Sequence, residues 1–366
     1  MSREPAGDAR SLRLRRVRDR LHEARLDGLL VSHIPGIRWL TGFTGSSAFL
    51  FVEPGSATLI TDFRYRAQAA EEVIDGVAIS IAESDLFVEL GGCLQESDSG
   101  PRVGFQDHDL TVRDRRALGE SCGRVMWEPA GSILEELRAT KDAGEIDSIA
   151  NAVEVAEAAL TETTGFVTEG VSETELAAEL VYRLHRSGSG SMPFDPIVAS
   201  GPRSALPHAR PGDRTLREGD LLLIDFGARV DGYCSDITRM FVLGAAQPWQ
   251  REIHATVLEA VDRAIAVTSA GVPARDVDRA ARDVIREAGF EEHFGHGTGH
   301  GVGLEVHEGP SVNARSRETL GPGNVVTIEP AVYLPGRGGV RLEEVVVAED
   351  GGRRVLTAYP LALREL

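Results

Sequence analysis

The chain has 366 residues, 42% hydrophobic and 26% charged, a composition typical of a soluble globular protein with room for two domains. Its formal net charge of −18 argues against a nucleic-acid partner, and no apolar run is long enough to predict a membrane span. Three widely spaced cysteines without a C-x-x-C motif favour a reducing cytoplasm and no disulfide framework.

Residues 1–139 alternate short apolar runs with amphipathic stretches, which predicts an α/β domain. Leu12, Leu14, Val17 and Leu21 predict one face of a first helix, and the segment lacks the apolar core of a signal peptide. Strands are predicted in DGLLVSH, SAFLFVEP, SATLITD, GVAISIA and PRVGFQ, and helices in RYRAQAAEEVI and SDLFVELGGCL.

A second domain is predicted at 140–366, where the pattern changes to long helices and ligand-bearing strands. Capping boxes that start at Asp142 and Ser172 predict two helix starts, and Gly289 is expected to end a third helix at roughly 274–288. Lys141, the only lysine of the chain, lies at this boundary. A GC-rich genome and adaptation to high salt both explain the preference for arginine, and stability across a salt series distinguishes them.

An Asp-Gly pair at 231–232 predicts a two-residue hairpin turn. Folding the chain there pairs Asp225 with Thr238 and places Asp236 on the same face as Asp225, about 7–8 Å away at the backbone. Carboxylates at that spacing can reach two metal ions about 3.5–4 Å apart. Asp225 follows the apolar run 221–224, where a merely solvated carboxylate is out of place.

A second predicted hairpin relates Glu329 to Glu343, with strands VVTIEPAVYL and VRLEEVVV around the loop PGRGG. Because the loop has an odd length, residues 14 apart can face one another, and both carboxylates can reach the same ions. Pro330 removes a ladder donor, which favours a bulge. Glu344 points to the opposite face and is excluded as a ligand.

Glycine alternates with other residues in GHGTGHGVG. If this segment is extended, His296, Thr298 and His300 project to one side, and the glycines allow close backbone approach. A lone histidine in a loop is usually a polar surface residue, but two of them four apart in this segment favour a functional role. His307 follows downstream, and His208 in SALPH is a further candidate.

Four carboxylates and one imidazole exceed the usual structural zinc site, which has four ligands rich in Cys and His. They suit two divalent ions that share bridging carboxylates and hold a water, an arrangement typical of hydrolases. The predicted ligands are Asp225, Asp236, His300, Glu329 and Glu343.

These residues resemble the pita-bread metallopeptidases, the group of methionine aminopeptidase, aminopeptidase P and prolidase. DGLLVSHIPGIRWLTGFTGSSAFLF resembles the N-terminal domain of the aminopeptidase P and prolidase branch. The resemblance implies an α+β fold, with a C-terminal pita-bread catalytic domain preceded by a smaller creatinase-type α/β domain. It also implies hydrolysis of the Xaa-Pro bond of peptides whose second residue is proline, by an Xaa-Pro aminopeptidase or dipeptidase.

By the same resemblance, Asp225 and Asp236 bind one ion, with Asp236 bridging. His300 completes the shell of the other ion, on which Glu329 sits, and Glu343 bridges. The family uses Mn²⁺ or Co²⁺ and sometimes Zn²⁺, and the oxygen-rich shell favours Mn²⁺. Such ions lower the pKa of a shared water, whose proton Glu329 is expected to pass to the leaving amine.

Four further residues complete the predicted site. His307 and His208 resemble the family's substrate-binding and transition-state histidines. His296 is expected to line the pocket, and Arg341 to orient Glu343 or the substrate. The resemblance also implies a homodimer in which the N-terminal domain caps the site of the neighbouring subunit, and the cysteine usage places it in the cytoplasm.

Two alternatives remain beside this assignment. A methionine aminopeptidase-like enzyme shares the ligands but normally lacks the N-terminal domain. A catalytically silent pita-bread binding or scaffold protein belongs to another class, and it predicts decayed ligands. Within the enzyme assignment, Ser311 occupies a position where some dipeptidases have an arginine for the substrate carboxylate, so longer peptides remain open as substrates.

Overall fold

The computed structural model describes residues 6–94 and 100–366, which form two compact units that divide between Leu137 and Arg138. The sequence places this boundary two residues later, between 139 and 140. In the described ranges, no helix has both the length and the apolar character that a bilayer span requires.

A six-stranded mixed sheet with the order β4-β3-β2-β1-β5-β6 forms the first unit. Its strands are β1 (Gly28–Val31), β2 (Ala48–Val52), β3 (Ala57–Asp62), β4 (Ala78–Ala82), β5 (Arg102–Phe105) and β6 (Met126–Pro129). Its helices are α1 (Ala6–Ala24), α2 (Ile34–Thr41), α3 (Arg66–Glu72), α4 (Leu86–Cys93) and α5 (Val112–Ser121), and α6 (Ile133–Ala139) follows at the division. The five predicted strands and three predicted helices are confirmed, although Leu12 is 42% exposed and does not share the buried face of α1.

Four helices belong to the second unit: α7 (Ala143–Thr164), α8 (Glu173–Arg186), α9 (Pro248–Val267) and α10 (Ala274–Glu287). Both predicted capping boxes are present at the starts of α7 and α8. Gly289 has a φ of 84° just beyond α10, as a helix-ending glycine should. The sequence reading missed α9, which packs with α10 into the hydrophobic core of this unit.

The second unit has a four-stranded sheet, a five-stranded sheet and two short ribbons. The four-stranded sheet, in the order β19-β11-β8-β7, consists of β7 (Ile197–Ser200), β8 (Leu221–Phe226), β11 (Ile237–Val242) and β19 (Arg364–Glu365). The five-stranded sheet, in the order β13-β12-β14-β17-β18, consists of β12 (Gly299–Gly301), β13 (Glu308–Val312), β14 (Val325–Ile328), β17 (Glu344–Glu349) and β18 (Gly352–Val355). The ribbons are β9 (Arg229–Val230) with β10 (Tyr233–Cys234), and β15 (Ala331–Leu334) with β16 (Gly338–Arg341).

The first predicted hairpin is confirmed in its turn and in its register. Both residues at 231–232 have positive φ angles, 49° and 84°, as a type I′ turn requires. The strands pair Val230 with Tyr233 and Asp225 with Thr238.

The second hairpin has the predicted register but no bulge. Ile328 pairs with Glu344 and Ala331 pairs with Arg341, which is one unshifted register across both ladders. The bulge favoured at Pro330 was therefore a wrong prediction. The ladder is interrupted there without an inserted residue, because proline has no N–H to donate.

Three candidate ligands lie at these interruptions. Asp236 falls between β10 and β11, Glu329 between β14 and β15, and Glu343 between β16 and β17. The unbroken register across the second hairpin sets Glu329 opposite Glu343. Each hairpin thus opens its backbone pairing where it carries a carboxylate into the interior of the unit.

Candidate metal centre

The structure brings all five predicted ligands together around one point. Asp236, His300 and Glu343 each offer a ligand atom, and these atoms lie within 4.8 Å of one another. His300 Nε2 also lies 3.3 Å from Glu329 Oε1 and 3.5 Å from Asp236 Oδ2. Asp225 lines the same cavity.

Two carboxylate oxygens in this cluster are buried without a hydrogen-bond partner among the described residues: Asp225 Oδ1 and Glu343 Oε1. Buried polar atoms are nearly always satisfied, and leaving one unsatisfied costs about 1–3 kcal/mol. An ionised carboxylate is an acceptor and a ligand for hard cations. The orphaned oxygens therefore fit divalent metal ions.

Without a bound cation, the protein does not balance the negative charges of this cluster of carboxylates. Burial raises the pKa of Asp225, and burial with neighbouring carboxylates raises the pKa values of Asp236 and Glu343 well above their usual range. Burial acts against the charged forms of His300 and Glu329 too, but their mutual ion pair outweighs it, so the pKa of His300 is raised and that of Glu329 is lowered. Bound cations would favour the ionised form of every carboxylate.

Arg341 donates directly to Asp225 and reaches Glu343, its predicted partner, only through Thr238. Its Nη2 donates to Asp225 Oδ2, its Nη1 to Tyr333 Oη at 2.6 Å, and its Nε to Thr238 Oγ1 at 3.2 Å. Thr238 Oγ1 in turn donates to Glu343 Oε2 at 2.8 Å. Arg341 is 3% exposed, and the protein occupies most of its donors.

A hydrogen-bond chain fixes the protonation of His296. Its Nδ1 lies 2.8 Å from Gly297 O, so this nitrogen carries the proton. Its Nε2 lies 3.2 Å from Tyr333 Oη, which accepts from Arg341 and so directs its own proton to the imidazole. Burial lowers the pKa of His296 and raises that of Tyr333 to about 12, so both groups are neutral at physiological pH.

The sequence reading missed Tyr333 and Thr238, although a signal was available. Side chains two apart in a strand share a face. Thr238 lies two residues after Asp236, and Tyr333 lies four residues after Glu329.

A cavity of about 900 Å³ opens onto the cluster, and all nine predicted site residues line it: His208, Asp225, Asp236, His296, His300, His307, Glu329, Arg341 and Glu343. The His307 ring lies edge-on to that of His300, with centroids 4.3 Å apart. Burial and the charge of His300 lower the pKa of His307. His208 is exposed on the cavity wall.

The glycine-rich segment departs from the predicted extended form. Only Gly299–Gly301 is strand, and Thr298 turns away from the cavity to donate twice to Asp278 Oδ1, at 3.1 and 2.9 Å. A side chain on Gly299 would place its Cβ 1.9 Å from Thr327 O. This glycine therefore permits the backbone approach that brings His300 to the carboxylates.

Comparison with known proteins agrees with this geometry. Residues 147–350 match metallopeptidase family M24, and residues 13–140 match the Creatinase/Prolidase N-terminal domain. An Xaa-Pro dipeptidase structure from Bacillus anthracis is 37% identical, with a TM-score of 0.94 over 98% of this chain and 100% of that chain. An X-Pro aminopeptidase structure from Thermotoga maritima is 35% identical, with a TM-score of 0.88 over 95% and 100%.

An Xaa-Pro dipeptidase of Pyrococcus horikoshii is 32% identical over 96% of this chain and 98% of that protein. The predicted pita-bread fold and creatinase-type N-terminal domain are confirmed by these matches. The chain belongs to metallopeptidase family M24 and carries a creatinase/prolidase N-terminal domain.

Proposed function

We propose that this protein is a dinuclear-metal exopeptidase that hydrolyses the Xaa-Pro bond at the N-terminus of peptides. The observation that carries the proposal is the convergence of four carboxylates and His300 on one cavity, with two carboxylate oxygens lacking a partner among the described residues. The Xaa-Pro dipeptidase and aminopeptidase relatives support proline as the second residue of the substrate.

The ligand set is proposed to be Asp225, Asp236, His300, Glu329 and Glu343. Two ions held there would act as Lewis acids and lower the pKa of a water. Mn²⁺ is the proposed metal because oxygen ligands dominate the set, with Co²⁺ and Zn²⁺ as the other candidates.

Glu329 is proposed as the general base. A metal ion held beside it would keep this carboxylate ionised at neutral pH, so Glu329 can accept a proton from the attacking water. The same carboxyl group then gives the proton to the prolyl nitrogen as the amide bond breaks. Thr327 Oγ1 donates to Glu329 Oε1 at 3.4 Å, which helps to fix the direction of this carboxylate.

His307 and His208 are proposed to contact the substrate from the cavity wall. A neutral imidazole still donates one N–H, which can stabilise the negative charge that develops on the attacked carbonyl oxygen. His296 offers a neutral wall, because both of its nitrogens are engaged within the protein. Arg341 is a positioning residue that aims Asp225.

The test is hydrolysis by Mn²⁺-loaded protein of Leu-Pro, of Leu-Pro extended by further residues, and of Leu-Ala. We expect cleavage before proline, loss on chelation, and a kcat at least about 100-fold lower in Glu329→Gln. Equal cleavage of the proline-free peptide would refute the substrate. Preference for peptides that start with methionine would support the methionine aminopeptidase-like alternative. Metal binding without any hydrolysis would support the catalytically silent scaffold.

The same assay also measures the preferred length of the peptide substrate. Ser311 lines the cavity where a cation is needed to hold a free carboxylate, and its N–H donates to Glu318 Oε2 at 2.8 Å. The uncharged serine offers no cation to hold the C-terminal carboxylate of a dipeptide, so we propose that longer peptides are cleaved as well as dipeptides or better. Exclusive cleavage of Leu-Pro would contradict this.

We further propose a cytoplasmic homodimer with a catalytic domain at 140–366 and an N-terminal domain at 1–139. The family resemblance supports the dimer, and the three free cysteines fit a reducing compartment. Light scattering that gives the mass of a single chain would contradict the dimer.

A further inference from the structure

The only lysine of this chain, Lys141, is buried. Its side chain is 1% exposed, and its Nζ lies 3.3 Å from Glu308 Oε2 and 3.4 Å from Ala139 O. All but one of the 39 Lys and Arg residues are arginine, so this position departs from the bias of the whole chain. An ammonium is more compact than a guanidinium, and the two are not interchangeable in a closed site.

Glu308, the partner of Lys141, is held from two sides. Arg138 Nη2 donates to Glu308 Oε1, and the side chains of Arg138 and Glu308 are 4% and 7% exposed. Arg138 also contacts the more exposed Glu305 at 2.8 Å. Burial raises the pKa of Glu308, but the two cations outweigh it and lower the pKa, so the carboxylate is charged.

The Glu308 carboxylate also organises the loop before it. Its Oε1 accepts the N–H of Glu305 at 3.0 Å. A Cβ on Gly303 would lie 2.7 and 2.8 Å from the two carboxylate oxygens, so the loop backbone packs directly on this group. Cys234 N donates to Gly303 O at 2.7 Å and holds the far side of the loop.

Glu308 follows His307 directly and begins β13. His307 ends the bend that precedes this strand, and it is joined to Glu308 by one peptide bond. His307 lines the cavity, whereas Glu308 faces the two cations behind the wall. Holding the Glu308 side chain therefore restrains the backbone that carries His307.

We propose that Arg138 and Lys141, by holding the Glu308 carboxylate behind the cavity wall, are positioning residues that set the orientation of His307 toward the substrate. The inference rests on the proposed peptidase function. Buried ion pairs are a poor source of stability, because apolar residues often replace them without loss, and fixing one conformation is a use consistent with their retention.

The test is a set of double-mutant cycles on the Mn²⁺-loaded full chain. Lys141→Met and Glu308→Gln are made in the wild type and in His307→Ala. We expect each to lower kcat/KM about 10- to 100-fold in the wild type, since small misplacements cost that much. In His307→Ala we expect no further loss, because the two residues act through the missing ring. Mn²⁺ affinity, measured by calorimetry, should stay within about twofold of wild type, since no candidate ligand changes.

Glu305→Gln is the matched control, because Glu305 contacts Arg138 from the exposed edge and should leave kcat/KM within about twofold. Lys141→Arg keeps the positive charge and replaces the uncharged variants if they do not fold. A wild-type kcat/KM in Lys141→Arg would overturn the need for a compact ammonium at this position. Losses of equal size in the wild type and in His307→Ala would overturn the positioning role.

A second readout separates this inference from the proposed function. In metal-free protein with ¹³C-labelled histidine, the His307 ring signal is assigned by its absence in His307→Ala. We expect it to shift or broaden in Lys141→Met, whether or not any peptide is cleaved. An unchanged His307 signal would overturn the inference, whereas wild-type protein that cleaves no Xaa-Pro peptide would overturn only the proposed function.

Discussion

Replacement of Glu343 by glutamine should separate two opposing effects of this carboxylate on the free energy of unfolding: its buried charge destabilises the metal-free protein, and its binding of metal stabilises the loaded protein. Glu343 is 2% exposed, and its Oε1 has no hydrogen-bond partner in the part of the chain that is described. Burial, then Glu329 and Asp225, raise the pKa of Glu343 well above its usual range. A carboxyl group with a raised folded pKa stabilises the protein fully only below its unfolded pKa, and that stability is lost as pH rises toward the folded pKa. At neutral pH, metal-free Glu343→Gln should therefore be the more stable protein.

The expected gain is about 1–3 kcal/mol, because the glutamine amide is uncharged and can donate to a neighbouring carboxylate, and a hydrogen bond to a charged group contributes about that much. For a unit of this size that is a rise of about 2–12 °C in the Tm of the metal-free protein. Bound Mn²⁺ should instead stabilise the wild type more than the variant. At a concentration near 100 Kd, Mn²⁺ should stabilise the wild type by about 2.7 kcal/mol, whereas a variant with about 100-fold weaker binding gains only about 0.4 kcal/mol.

The assay is calorimetry of both proteins near neutral pH, after chelation and in excess Mn²⁺. Glu349→Gln is the control, since Glu349 ends β17, the strand that follows Glu343, its side chain is 46% exposed, and it pairs with Arg354 at 3.1 Å. Its effect should stay within about 0.5 kcal/mol with and without metal. A metal-free Glu343→Gln less stable than wild type, with a full Mn²⁺ increment, would refute the assignment of Glu343 as a metal-binding carboxylate.

Three further predictions concern other buried groups. Glu308→Gln should cost about 3–5 kcal/mol near neutral pH, because it leaves the buried Lys141 uncompensated and Arg138 with only the more exposed Glu305. The folded pKa of Glu308 is depressed, so this penalty should shrink as pH falls through that pKa, and denaturant unfolding with a pH-independent difference would contradict it. Arg341→Lys should weaken Mn²⁺ binding about 10- to 100-fold by releasing Asp225, a proposed ligand, and unchanged calorimetric affinity would exclude this role of Arg341. Burial raises the pKa values of Cys122 and Cys234 to about 11 and about 12, so a thiol reagent should modify only the exposed Cys93 in native protein, and a second fast equivalent would contradict the structure.

Turn and cap chemistry could be predicted from the sequence because it is local. The positive φ angles at 231–232 follow from an Asp-Gly pair, and the start of α7 follows from Asp142 and Glu145. Once a turn is fixed, the period of two in a strand fixes the register, so the alignment of Glu329 with Glu343 was also available. The identity of the candidate ligands followed from these patterns together with the family resemblance.

The tertiary structure decided which charged groups meet, because the segments that carry them lie far apart in the chain. No local pattern tells that Arg341 pairs with Asp225 rather than Glu343, or that Thr298 turns to Asp278. These contacts depend on how the two hairpins and the glycine-rich segment pack around α9 and α10. The sequence by itself thus determined the turns, the helix caps, the register of both hairpins and the residues that can bind metal, whereas packing decided the partners of those residues, their burial and therefore their charge.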